Sequence, residues 1–600
     1  MCRISGIIAA NNSRENIYMD VKSMCNSLSH GGPDDEGMYL ADHGRLCFGH
    51  RRLSLLDLSP LGHQPMADSQ QRYWLVFNGE IYNFLELKNQ LISKGHTFKS
   101  TSDTEVILAA YEQWGTESFK LFNGMFAFAL YDSEKQEVFL VRDSAGIKPL
   151  YYHIDAEGEL IFASEVKAFM EVDSNWEQNP DWRLLLLCFG HIPEPYTTLK
   201  GVQSLVKGTY LQFDLNAKRV KNIVQFRELG FKEIKIKDKK EAIKLIQEKL
   251  RAAVERHLIS DAPIGLFLSG GIDSSLLTLI AAERVKDQLH TLSVTFAEES
   301  FSEQEYQQAV ISQINCKHNY CSIGKTDLES NLNTIISAYD QPSNDGINSW
   351  FISKCAYDNG LKAVLSGLGS DEVFGGYPSF DRMNTLYKIK NLPASVLALS
   401  KYIPSGPLQR ISWMQIKEPI GLYLTLRGLC TLEEASKLSG LSRPEVINKL
   451  NNLNFSPFQN NLPKEQAASW LEFNMYMQNQ LLKDSDYMSM QHALELRVPF
   501  LDQEFLDTVF SIDTELLYGH KGIPKQLLID AFKDIMPEKI WNRKKMGFSF
   551  PFQKWFGNIE QLRTGISRTM AGKNLLQSFD QGKTHWSKLW AYYLSENFNI

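Results

Sequence analysis

The sequence predicts a two-part protein in which an α+β sandwich precedes an α/β doubly wound sheet, and three observations support this fold class. Residues 1–165 alternate short apolar runs with turn signals, which is typical of a sandwich of sheets flanked by helices. Over residues 241–365, short apolar strands alternate with helical segments, and this alternation predicts a parallel sheet. From Asp381 onward, including residues 466–490, the pattern is helical, so the second part should end in a helical region.

The elements of the first part follow from the apolar runs between turns. The expected helices are Asn83 to Lys94 and Thr104 to Trp114, and the expected strands are Phe126 to Tyr131, Val138 to Val141 and Leu160 to Ala163. A proline-rich stretch at residues 190–196 predicts a connection, and a closing hairpin is expected over Val202 to Asp214. We place the two domains at residues 1–205 and 206–600.

The second part should begin with a helix over Glu241 to Leu258, which follows a lysine-dense segment. Strands are expected over Gly265 to Leu268, Thr291 to Phe296 and Ala363 to Leu365. A doubly wound sheet binds its ligands at the carboxyl ends of its strands. The loop after Leu268 is therefore a candidate site.

Composition restricts the class of protein. The chain has 600 residues, 43% of them hydrophobic and 22% charged, which is typical of a soluble globular protein with several domains. A net charge of −7 argues against a nucleic-acid-binding surface, and the apolar run Leu184 to Phe189 is too short to span a membrane. The eight cysteines show no CxxC pair or metal-ligand spacing, and we see no signal peptide, so we expect reduced thiols and a cytoplasmic protein.

The loop Ser269-Gly270-Gly271-Ile272-Asp273-Ser274-Ser275 joins an apolar strand to a helical run. Glycines let the backbone close around phosphate oxygens, and the N-terminus of the following helix offers free N–H groups to an anion. Because the carboxylate of Asp273 would repel phosphate without an intervening cation, the loop indicates a magnesium–nucleotide site. An ordinary strand-to-helix turn would explain the glycines alone. The loop lacks the lysine of GxxxxGK[ST] and resembles the pyrophosphate-binding loop of ATP pyrophosphatases.

Cys2 becomes the N-terminal residue once the initiator Met1 is removed. Its thiol would then lie beside an α-amine with a pKa of about 7.7–8.0, which accepts a proton at neutral pH far better than a lysine does. A nucleophile that carries its own base is the device of N-terminal nucleophile hydrolases. A cysteine at position 2 means little by itself, so the argument depends on further segments.

Three further segments match the glutaminase domain of class II glutamine amidotransferases. They are Gly49-His50-Arg51-Arg52-Leu53-Ser54, Asn78-Gly79-Glu80-Ile81-Tyr82-Asn83 and Ser102-Asp103-Thr104-Glu105-Val106-Ile107. Arg52 alone could be a surface arginine and Asp103 alone a helix N-cap, but with Cys2 the segments keep the order of that family. Free glutamine carries a carboxylate and an ammonium group, so its pocket needs one cation and one anion.

With the motifs of the second half, the resemblance covers nearly the whole chain, which resembles the glutamine-hydrolysing asparagine synthetases. The additional motifs are Gly124 to Asp132, Arg142-Asp143, Gly146 to Tyr152, Phe162 to Glu165, Ser366 to Tyr377, Leu496 to Asp502, Lys525 and Arg543 to Phe548. The resemblance implies an N-terminal nucleophile-type αββα sandwich followed by an ATP-pyrophosphatase domain with a helical C-terminal part. It also implies ATP and Mg²⁺ as cofactors.

The resemblance assigns roles in the glutaminase half. Cys2 would be the nucleophile, and the Asn78 amide with the Gly79 N–H would form the oxyanion hole. Arg52 would bind the glutamine carboxylate, and Asp103 would bind its ammonium group. The expected glutamine-binding residues are Arg52, Leu53, Ser54, Leu55, Leu56, Asn78, Gly79, Glu80 and Asp103.

In the synthetase half, the family transfers AMP from ATP to a carboxylate, so that pyrophosphate leaves and an acyl-adenylate forms. Asp273 and Asp371 would hold Mg²⁺ on the pyrophosphate, and Lys525 would stabilise the same charge. Ammonia has to reach the adenylate unprotonated, so a protein-lined path should join the two sites. The expected ATP-binding residues are Phe267, Ser269, Gly270, Gly271, Asp273, Ser274, Val294, Ser366, Gly367 and Lys525, of which Val294 would equally suit a core strand.

Three positions depart from the family pattern, two of them in the expected acceptor site of Leu368, Glu372 and Gln341. The family motif His-Arg-Gly-Pro-Asp reads His-Gly-Gly-Pro-Asp in this chain, so Gly31 stands where the arginine is usual. The missing arginine could loosen the coupling between the sites. Leu368 stands where an acidic residue is usual, and Gln341 stands in place of the glutamate of Asp-Glu-Pro. Because aspartate carries an ammonium group, losing two acids weakens the case for aspartate as acceptor.

Three functions therefore stay open. The first is asparagine synthesis, and the second is glutamine-dependent amidation of another carboxylate, such as a sugar uronate in surface-polysaccharide assembly. The third is a sibling without glutaminase activity, such as a ring-closing synthetase of the β-lactam type, or a non-catalytic binding protein. Cys2 argues against the ring-closing sibling, and the intact loop Ser269–Ser275 argues against an inactive protein. The expected partners are glutamine and a small carboxylate, without nucleic acid or membrane insertion, and a homodimer stays open.

Overall fold

The computed structural model describes the chain except at residues 1, 10–15, 174, 232, 286–288, 299–300, 403–405, 456–457, 459–461, 520–522, 548–549 and 599–600. Within the described residues the chain forms two antiparallel sheets, one parallel sheet and a large helical part. Met1 and Phe548, which belong to predicted motifs, lie outside the described residues.

The first part is built on two antiparallel sheets that pack face to face. The strands are β1 Arg3–Ile8, β2 Asp35–Ala41, β3 Leu46–Arg52, β4 Met66–Ala67, β5 Tyr73–Ile81, β6 Gly124–Asp132, β7 Glu137–Arg142, β8 Tyr151–Ile154, β9 Leu160–Ala163, β10 Gln203–Ser204, β11 Thr209–Asp214 and β12 Arg219–Gln225. Over the described ranges one sheet has the order β10-β8-β9-β1-β3-β2, and the other has the order β12-β11-β7-β6-β5-β4. Ile4 and Phe48 from one sheet pack with Val76 and Leu140 from the other, so the inner faces form a continuous core.

Helices cover the outer faces of both sheets. The helix Ile17–Ser27 packs on the β1 sheet through Val21 and Met24, and the helices Phe84–Ser93 and Asp103–Trp114 pack on the β5 sheet. This arrangement confirms the predicted αββα sandwich. A further helix, Trp182–Phe189, is buried almost completely and packs against the second part of the chain.

The N-terminal sheet continues past the expected boundary at residue 205. Strand β11 pairs with β7, and β12 pairs with β11, both antiparallel. Because these strands complete a ladder of the first part, we propose to move the domain boundary to the segment that follows Gln225.

The second part contains a parallel sheet of strands β13 Ile264–Phe267, β14 Leu289–Thr295, β15 Cys316–Ser322, β16 Ala363–Leu365 and β17 Glu495–Arg497. Across the described residues its order is β15-β14-β13-β16-β17, with every pair parallel. The helix Lys239–His257 precedes β13, and the helices between β13 and β16 are Ile272–Arg284, Gln304–Ile311, Lys325–Ala338 and Ile347–Asp358. The chain leaves β13 towards β15 and then returns to β16 on its other side, so the loop after β13 lies at a topological switch point.

The remainder of the second part is helical, as predicted. Its helices are Ser370–Phe374, Pro378–Ile389, Ala394–Ala398, Gly406–Gln409, Ile420–Arg427, Leu432–Ser439, Arg443–Asn451, Lys464–Leu471, Leu482–Met490, Gln503–Val509, Thr514–Tyr518, Gln526–Phe532, Glu538–Trp541, Phe552–Trp555, Glu560–Ile566, Met570–Asp580 and Trp586–Asn597. The wide-turned π-helix Glu472–Leu481 joins Lys464–Leu471 to Leu482–Met490. Such stretches occur mainly at functional sites, and this one contributes Tyr476 to the cavity described below.

One expectation about the thiols is wrong. The structure joins Cys321 of β15 to Cys355 of the helix Ile347–Asp358 in a disulfide, with a Cα–Cα distance of 6.3 Å. The two residues are 34 positions apart and meet only because the helix packs beside the parallel sheet, so spacing gave no signal of the pair. In the described part of the chain, no helix is long and apolar enough to cross a membrane.

Candidate active site

The first candidate pocket is lined in part by Cys2, which directly precedes β1. Cys2 is only 8% exposed, and its Sγ lies 4.0 Å from the carbonyl oxygen of Leu53. Burial raises the pKa of the Cys2 thiol to about 11, so the thiol needs a base before it can act as a nucleophile. The predicted glutamine-binding residues that line the same pocket are Arg52, Leu53, Leu55, Leu56, Gly79, Glu80 and Asp103.

Arg52 supplies the positive charge of this pocket. It ends β3, and its guanidinium donates to the backbone oxygens of Leu56, Asp57 and Ser59 at 3.2, 2.5 and 3.2 Å. Among the described residues it forms no ion pair, and carbonyl oxygens hold it in place without neutralising it. The side chain is therefore suited to a carboxylate ligand.

Two buried acids supply the negative charge. Asp103 begins its helix, and its Oδ2 accepts from the N–H of Ile81 at 2.8 Å. Burial raises the pKa of Asp103 to about 6. Burial and the nearby Glu495 also hold the pKa of Glu80 well above its usual value. An ammonium group that enters this pocket would favour the ionised forms of both carboxyl groups.

Asn78 and Gly79 lie near the end of β5, and Gly79 lines the same pocket as Cys2. The Asn78 side chain is fully buried, yet neither its Oδ1 nor its Nδ2 has a hydrogen-bond partner in the described structure. A buried amide without partners is costly, so this group is available to a developing negative charge. A Cβ at Gly79 would lie 2.0 Å from the carbonyl oxygen of Met125, and the close approach of β6 therefore requires glycine here.

Ser54 takes a supporting position. Its N–H donates to Asp34 Oδ2 at 2.8 Å, which fixes the turn after Arg52. Ser54 is not among the residues that line the pocket surface.

The second candidate site is a cavity of about 430 Å³ at the carboxyl ends of β13, β14 and β16. It contains nearly all of the predicted nucleotide-binding residues. Those that line it are Phe267, Ser269, Gly271, Asp273, Ser274, Val294, Ser366, Gly367 and Lys525. Gly270 does not line the cavity, but its carbonyl oxygen accepts from Arg543 Nη2 at 2.9 Å, and Arg543 does line it.

Serine hydroxyls organise the loop between β13 and its helix. Ser269 Oγ lies 2.9 Å from Ser274 Oγ and accepts from the N–H of Gly271 at 3.3 Å. Gly270 has a φ of +86°, a left-handed conformation that favours glycine. The loop delivers the first turn of the helix Ile272–Arg284 to the cavity, where its free N–H groups suit an anion.

Lys525 joins the two predicted metal-binding acids. Its Nζ lies 2.6 Å from Asp273 Oδ2 and 2.5 Å from Asp371 Oδ1, and Lys545 Nζ lies 2.7 Å from the same Asp371 oxygen. Burial alone would lower the pKa of Lys525, but the two aspartates outweigh it and raise that pKa. Burial opposes the ionised form of Asp371, but Lys525 and Lys545 lower its pKa. Two carboxylates and two ammonium groups thus converge on one point.

The three predicted acceptor residues do not lie together in the structure. Leu368 lines the cavity directly after β16. Glu372 is buried behind the wall, where its Oε1 accepts from the Tyr377 hydroxyl at 2.8 Å, and burial raises its pKa to about 7. Gln341 faces the first part of the chain instead, because its Oε1 accepts from the N–H of Thr198 at 2.8 Å and its Nε2 donates to the Thr198 hydroxyl at 3.1 Å.

The cavity also contains acids and aromatic side chains outside the expected acceptor set of Leu368, Glu372 and Gln341. Asp345 and Asp484 line it, and Asp484 Oδ2 accepts from the Ser343 hydroxyl at 2.7 Å. Burial and Asp345 hold the pKa of Asp484 well above its usual value. Tyr377 and Tyr476 form another wall. Asp484 lies inside a long helix without a surrounding motif, so only the fold could reveal it.

Arg497 connects the two sites physically. Its guanidinium lies 3.5 Å from Glu80 of the first pocket and 2.5 Å from Glu495 on the same strand. Its carbonyl oxygen accepts from the N–H of Ser366, which lines the second cavity, at 2.8 Å. Arg497 therefore contacts a residue of each site, Glu80 in the first pocket and Ser366 in the second cavity.

The departure at Gly31 also has a structural setting. A Cβ at Gly31 would lie 2.7 Å from Arg3 Cγ, so the space above Gly31 is filled by another arginine. Arg3 Nη1 lies 2.8 Å from Asp486 and Arg3 Nε lies 2.6 Å from Glu165, both buried. The interface between the two parts thus keeps an arginine that is supplied by β1.

Comparisons with known proteins divide the chain in the same way. A family described as glutamine amidotransferase domain matches residues 1–224, and a family described as asparagine synthase matches residues 245–585. Asparagine synthetase [glutamine-hydrolyzing] 1 of Bacillus subtilis is 31% identical over 557 residues, which cover 90% of this chain and 85% of that protein. A putative asparagine synthetase of Mycobacterium tuberculosis is 32% identical over 88% of this chain and 83% of its own length. The amidase chry2 of Gibberella zeae is 25% identical over 93% of this chain and 90% of its own length.

Proposed function

Because the chain belongs to the asparagine synthase family, as a glutamine- and ATP-dependent amidotransferase, we propose that it converts aspartate to asparagine. In this proposal aspartate is activated as an acyl-adenylate, pyrophosphate leaves, and ammonia from glutamine displaces AMP. The observation that carries the proposal is the convergence of Asp273, Asp371 and Lys525 in a cavity at the switch point of the sheet.

The donor set fits Mg²⁺, which prefers carboxylate oxygens and keeps several phosphate or water ligands. Asp273 and Asp371 both direct an oxygen at the position of Lys525 Nζ. The described residues contain no group of three or more His, Cys, Asp or Glu side chains that could hold a metal ion by themselves, so phosphates and water would supply the other ligands. When bound, the ion would neutralise charge that develops on the departing pyrophosphate. Lys525 and Lys545 would stabilise the same charge from the protein side.

Glutamine hydrolysis would proceed in the pocket around Cys2. Arg52 would hold the glutamine carboxylate, and Asp103 with Glu80 would hold its ammonium group. The freed α-amine of Cys2 would accept the thiol proton, and the thiolate would attack the amide carbon. The Asn78 amide and the Gly79 N–H would stabilise the oxyanion. Release of ammonia inside the protein would spare it from protonation on the way to the adenylate.

Aspartate needs an anionic partner for its ammonium group, and Leu368 cannot supply one. Asp345 and Asp484 line the same cavity, and they would replace the missing acid. An ammonium group between them would also relieve the unfavourable burial of two carboxyl groups.

The alternative acceptor is a less zwitterionic carboxylate, such as a sugar uronate in surface-polysaccharide assembly. The apolar Leu368 and the aromatic wall of Tyr377 and Tyr476 favour it, because sugar rings pack on such surfaces without needing an anion. Glu372 would then act only through the Tyr377 hydroxyl.

The test is steady-state pyrophosphate release with ATP, Mg²⁺ and glutamine, measured for aspartate and for galacturonate. We expect efficient release with millimolar aspartate and none with the uronate. Release with the uronate alone, from an enzyme that hydrolyses glutamine, would replace the aspartate proposal with the alternative. We also propose a cytoplasmic homodimer, which sedimentation equilibrium of the purified protein would test.

A further inference from the structure

A basic segment lies in the helical part of the chain and begins five residues after Tyr377, which lines the second cavity. Residues 382–417 contain six lysines and arginines and no aspartate or glutamate, although the whole chain has a net charge of −7. The six residues are Arg382, Lys388, Lys390, Lys401, Arg410 and Lys417. So long a basic segment in an acidic protein produces a local positive field that can attract anionic partners.

The same segment exposes large apolar side chains, which we call the apolar face. They are Leu392, Val396, Leu399, Tyr402 and Leu408, with 44, 46, 58, 73 and 47% of their surfaces exposed. The first four are spaced by four, three and three residues, which places them on one side of a helical segment. Leu397 and Ser400, on the other side, are 4 and 5% exposed. A surface helix ordinarily turns its apolar side inward, so this segment presents an apolar side outward.

We infer that this surface binds an anionic membrane surface, lying on the bilayer without crossing it. Peripheral helices of this kind combine apolar side chains that enter the headgroup boundary with basic residues that attract anionic lipids. Lys388 is exposed, and Lys390 is half-buried and lies 3.8 Å from Glu418. Both lysines precede Leu392 by no more than four residues, so the charge and the apolar face are adjacent along the chain, and we call the two together the patch.

Other occupants fit the patch less well. In a symmetric dimer through this face, each basic segment would meet the other, and like charges would oppose association. Single-stranded nucleic acid would use the positive charge and aromatic rings, but it has no use for the exposed aliphatic side chains of Leu392, Val396 and Leu399.

The patch is connected to the second cavity by one helix. Tyr377 of the cavity wall immediately precedes the helix Pro378–Ile389, and that helix ends three residues before Leu392. Twelve helical residues span about 18 Å. A protein bound through the apolar face would thus hold its synthetase cavity near the membrane, whichever carboxylate it amidates.

The test is co-sedimentation of the full-length protein with vesicles of phosphatidylglycerol and phosphatidylcholine in equal parts, and with phosphatidylcholine alone. We expect binding to the anionic vesicles that weakens as NaCl is raised. The pair Val396→Ser with Leu399→Ser, and separately Lys388→Glu with Lys390→Glu, should each reduce the bound fraction by about fivefold or more. Because Lys388, Val396 and Leu399 are exposed and Lys390 is only partly buried, glutamine hydrolysis and the melting temperature should stay unchanged.

Met570→Ser is the matched control, since Met570 is 72% exposed on a different helix and should leave vesicle binding unchanged. Failure of the unmodified protein to sediment with anionic vesicles would overturn the proposal. Equal binding by the serine variant would also overturn it. A change in oligomeric state in that variant, without any vesicle binding by the parent, would assign the face to a second copy of the chain.

Discussion

The two sites differ in how the chain builds them. The pocket around Cys2 has a volume of about 30 Å³, and short segments around residues 52–56, 77–80 and 102–104 supply most of its walls. The second cavity is about 430 Å³, and its walls come from residues as far apart as Phe267 and Gly547. A pocket made of a few short segments leaves local motifs, as does the nucleotide-binding loop of the second cavity, whereas the acceptor part, made by packing of distant helices, leaves few. The difference explains why the nitrogen donor is easier to infer than the acceptor.

The distinction between the two sites would fail most severely if glutamine hydrolysis and amide synthesis were not separate reactions. The variant Cys2→Ala tests whether they are separate. We expect glutamine hydrolysis to fall by about a thousandfold or more, because the variant lacks its nucleophile. Synthesis supported by added ammonium salt should persist, because the second cavity does not use Cys2. The control is Cys25→Ala, another buried free thiol of the first part. Loss of both activities in a folded Cys2→Ala protein would contradict two-site chemistry.

Asp273→Asn is the reciprocal change in the second cavity. We expect exchange of labelled pyrophosphate into ATP to fall by about a hundredfold or more, because a carboxylate that would hold the metal is lost. Glutamine hydrolysis should continue. Glu283→Gln, an exposed acid at the other end of the same helix, is the control and should behave as the parent. Undiminished exchange in Asp273→Asn would remove the role proposed for this residue.

The acceptor can be examined through Leu368. If Asp345 and Asp484 bind the aspartate ammonium group, Leu368→Glu should change aspartate turnover by about twofold at most. If the acceptor is a uronate, the same change should lower turnover with that acid by about tenfold, because it buries an unpaired charge in an apolar wall. Leu368→Met keeps the volume and serves as the control. Pyrophosphate release distinguishes the two results, and loss of aspartate turnover in the glutamate variant would contradict the assignment to Asp345 and Asp484.

The pH dependence of glutamine hydrolysis should report Asp103. Its pKa is raised by burial to about 6, and only the ionised form attracts the ammonium group of glutamine. Because the α-amine of Cys2, with a pKa of about 7.7–8.0, must also be unprotonated, log kcat/KM should fall with a slope of about one below that pKa, and with a slope of about two below pH 6, where Asp103 is protonated as well. A slope that stays at about one down to about pH 5 would show that Asp103 is not the ammonium partner.

The smallest expected effect concerns the link through Arg497. Arg497→Lys keeps the positive charge but loses the planar guanidinium group that reaches both Glu80 and Glu495. The coupling between the glutamine pocket and the second cavity should therefore weaken. We expect the ratio of glutamine hydrolysed to product formed to rise by about two- to fivefold. Arg256→Lys, which perturbs a different salt bridge with Asp502, is the control. An unchanged ratio would restrict Arg497 to a structural role.

The sequence analysis identified most of the glutamine pocket and of the nucleotide-binding part of the second cavity, but not the acceptor part of that cavity. The αββα sandwich and the doubly wound sheet were predicted correctly, because periodicity and turn chemistry reveal layers of this kind. Ser54 was assigned to the glutamine pocket by resemblance, but its N–H supports the turn after Arg52 and the residue does not line the pocket. The role of the buried Asn78 amide in the oxyanion hole stays a prediction. Motifs name residues but do not show which way their side chains face.

The acceptor region shows the limit most clearly. Gln341 was grouped with Leu368 by comparison with the family pattern, but its amide binds Thr198 at the junction of the two parts. Asp484 was missed because it lies in a long helix whose sequence has no local motif. The expected domain boundary at residue 205 likewise separated strands β11 and β12 from the sheet that they complete. The pairing of β11 with β7 is a long-range contact, which no local sequence pattern contains.

The central claim is that one chain passes nitrogen from glutamine to an activated aspartate. The direct measurement supplies glutamine labelled with heavy nitrogen at its amide, together with ATP, aspartate and an excess of unlabelled ammonium salt, and analyses the product by mass spectrometry. Retention of the label in asparagine, with pyrophosphate released in equal amount, is the result that our account predicts. Asparagine that carries only unlabelled nitrogen, or no amidated aspartate while glutamine is consumed, would contradict it.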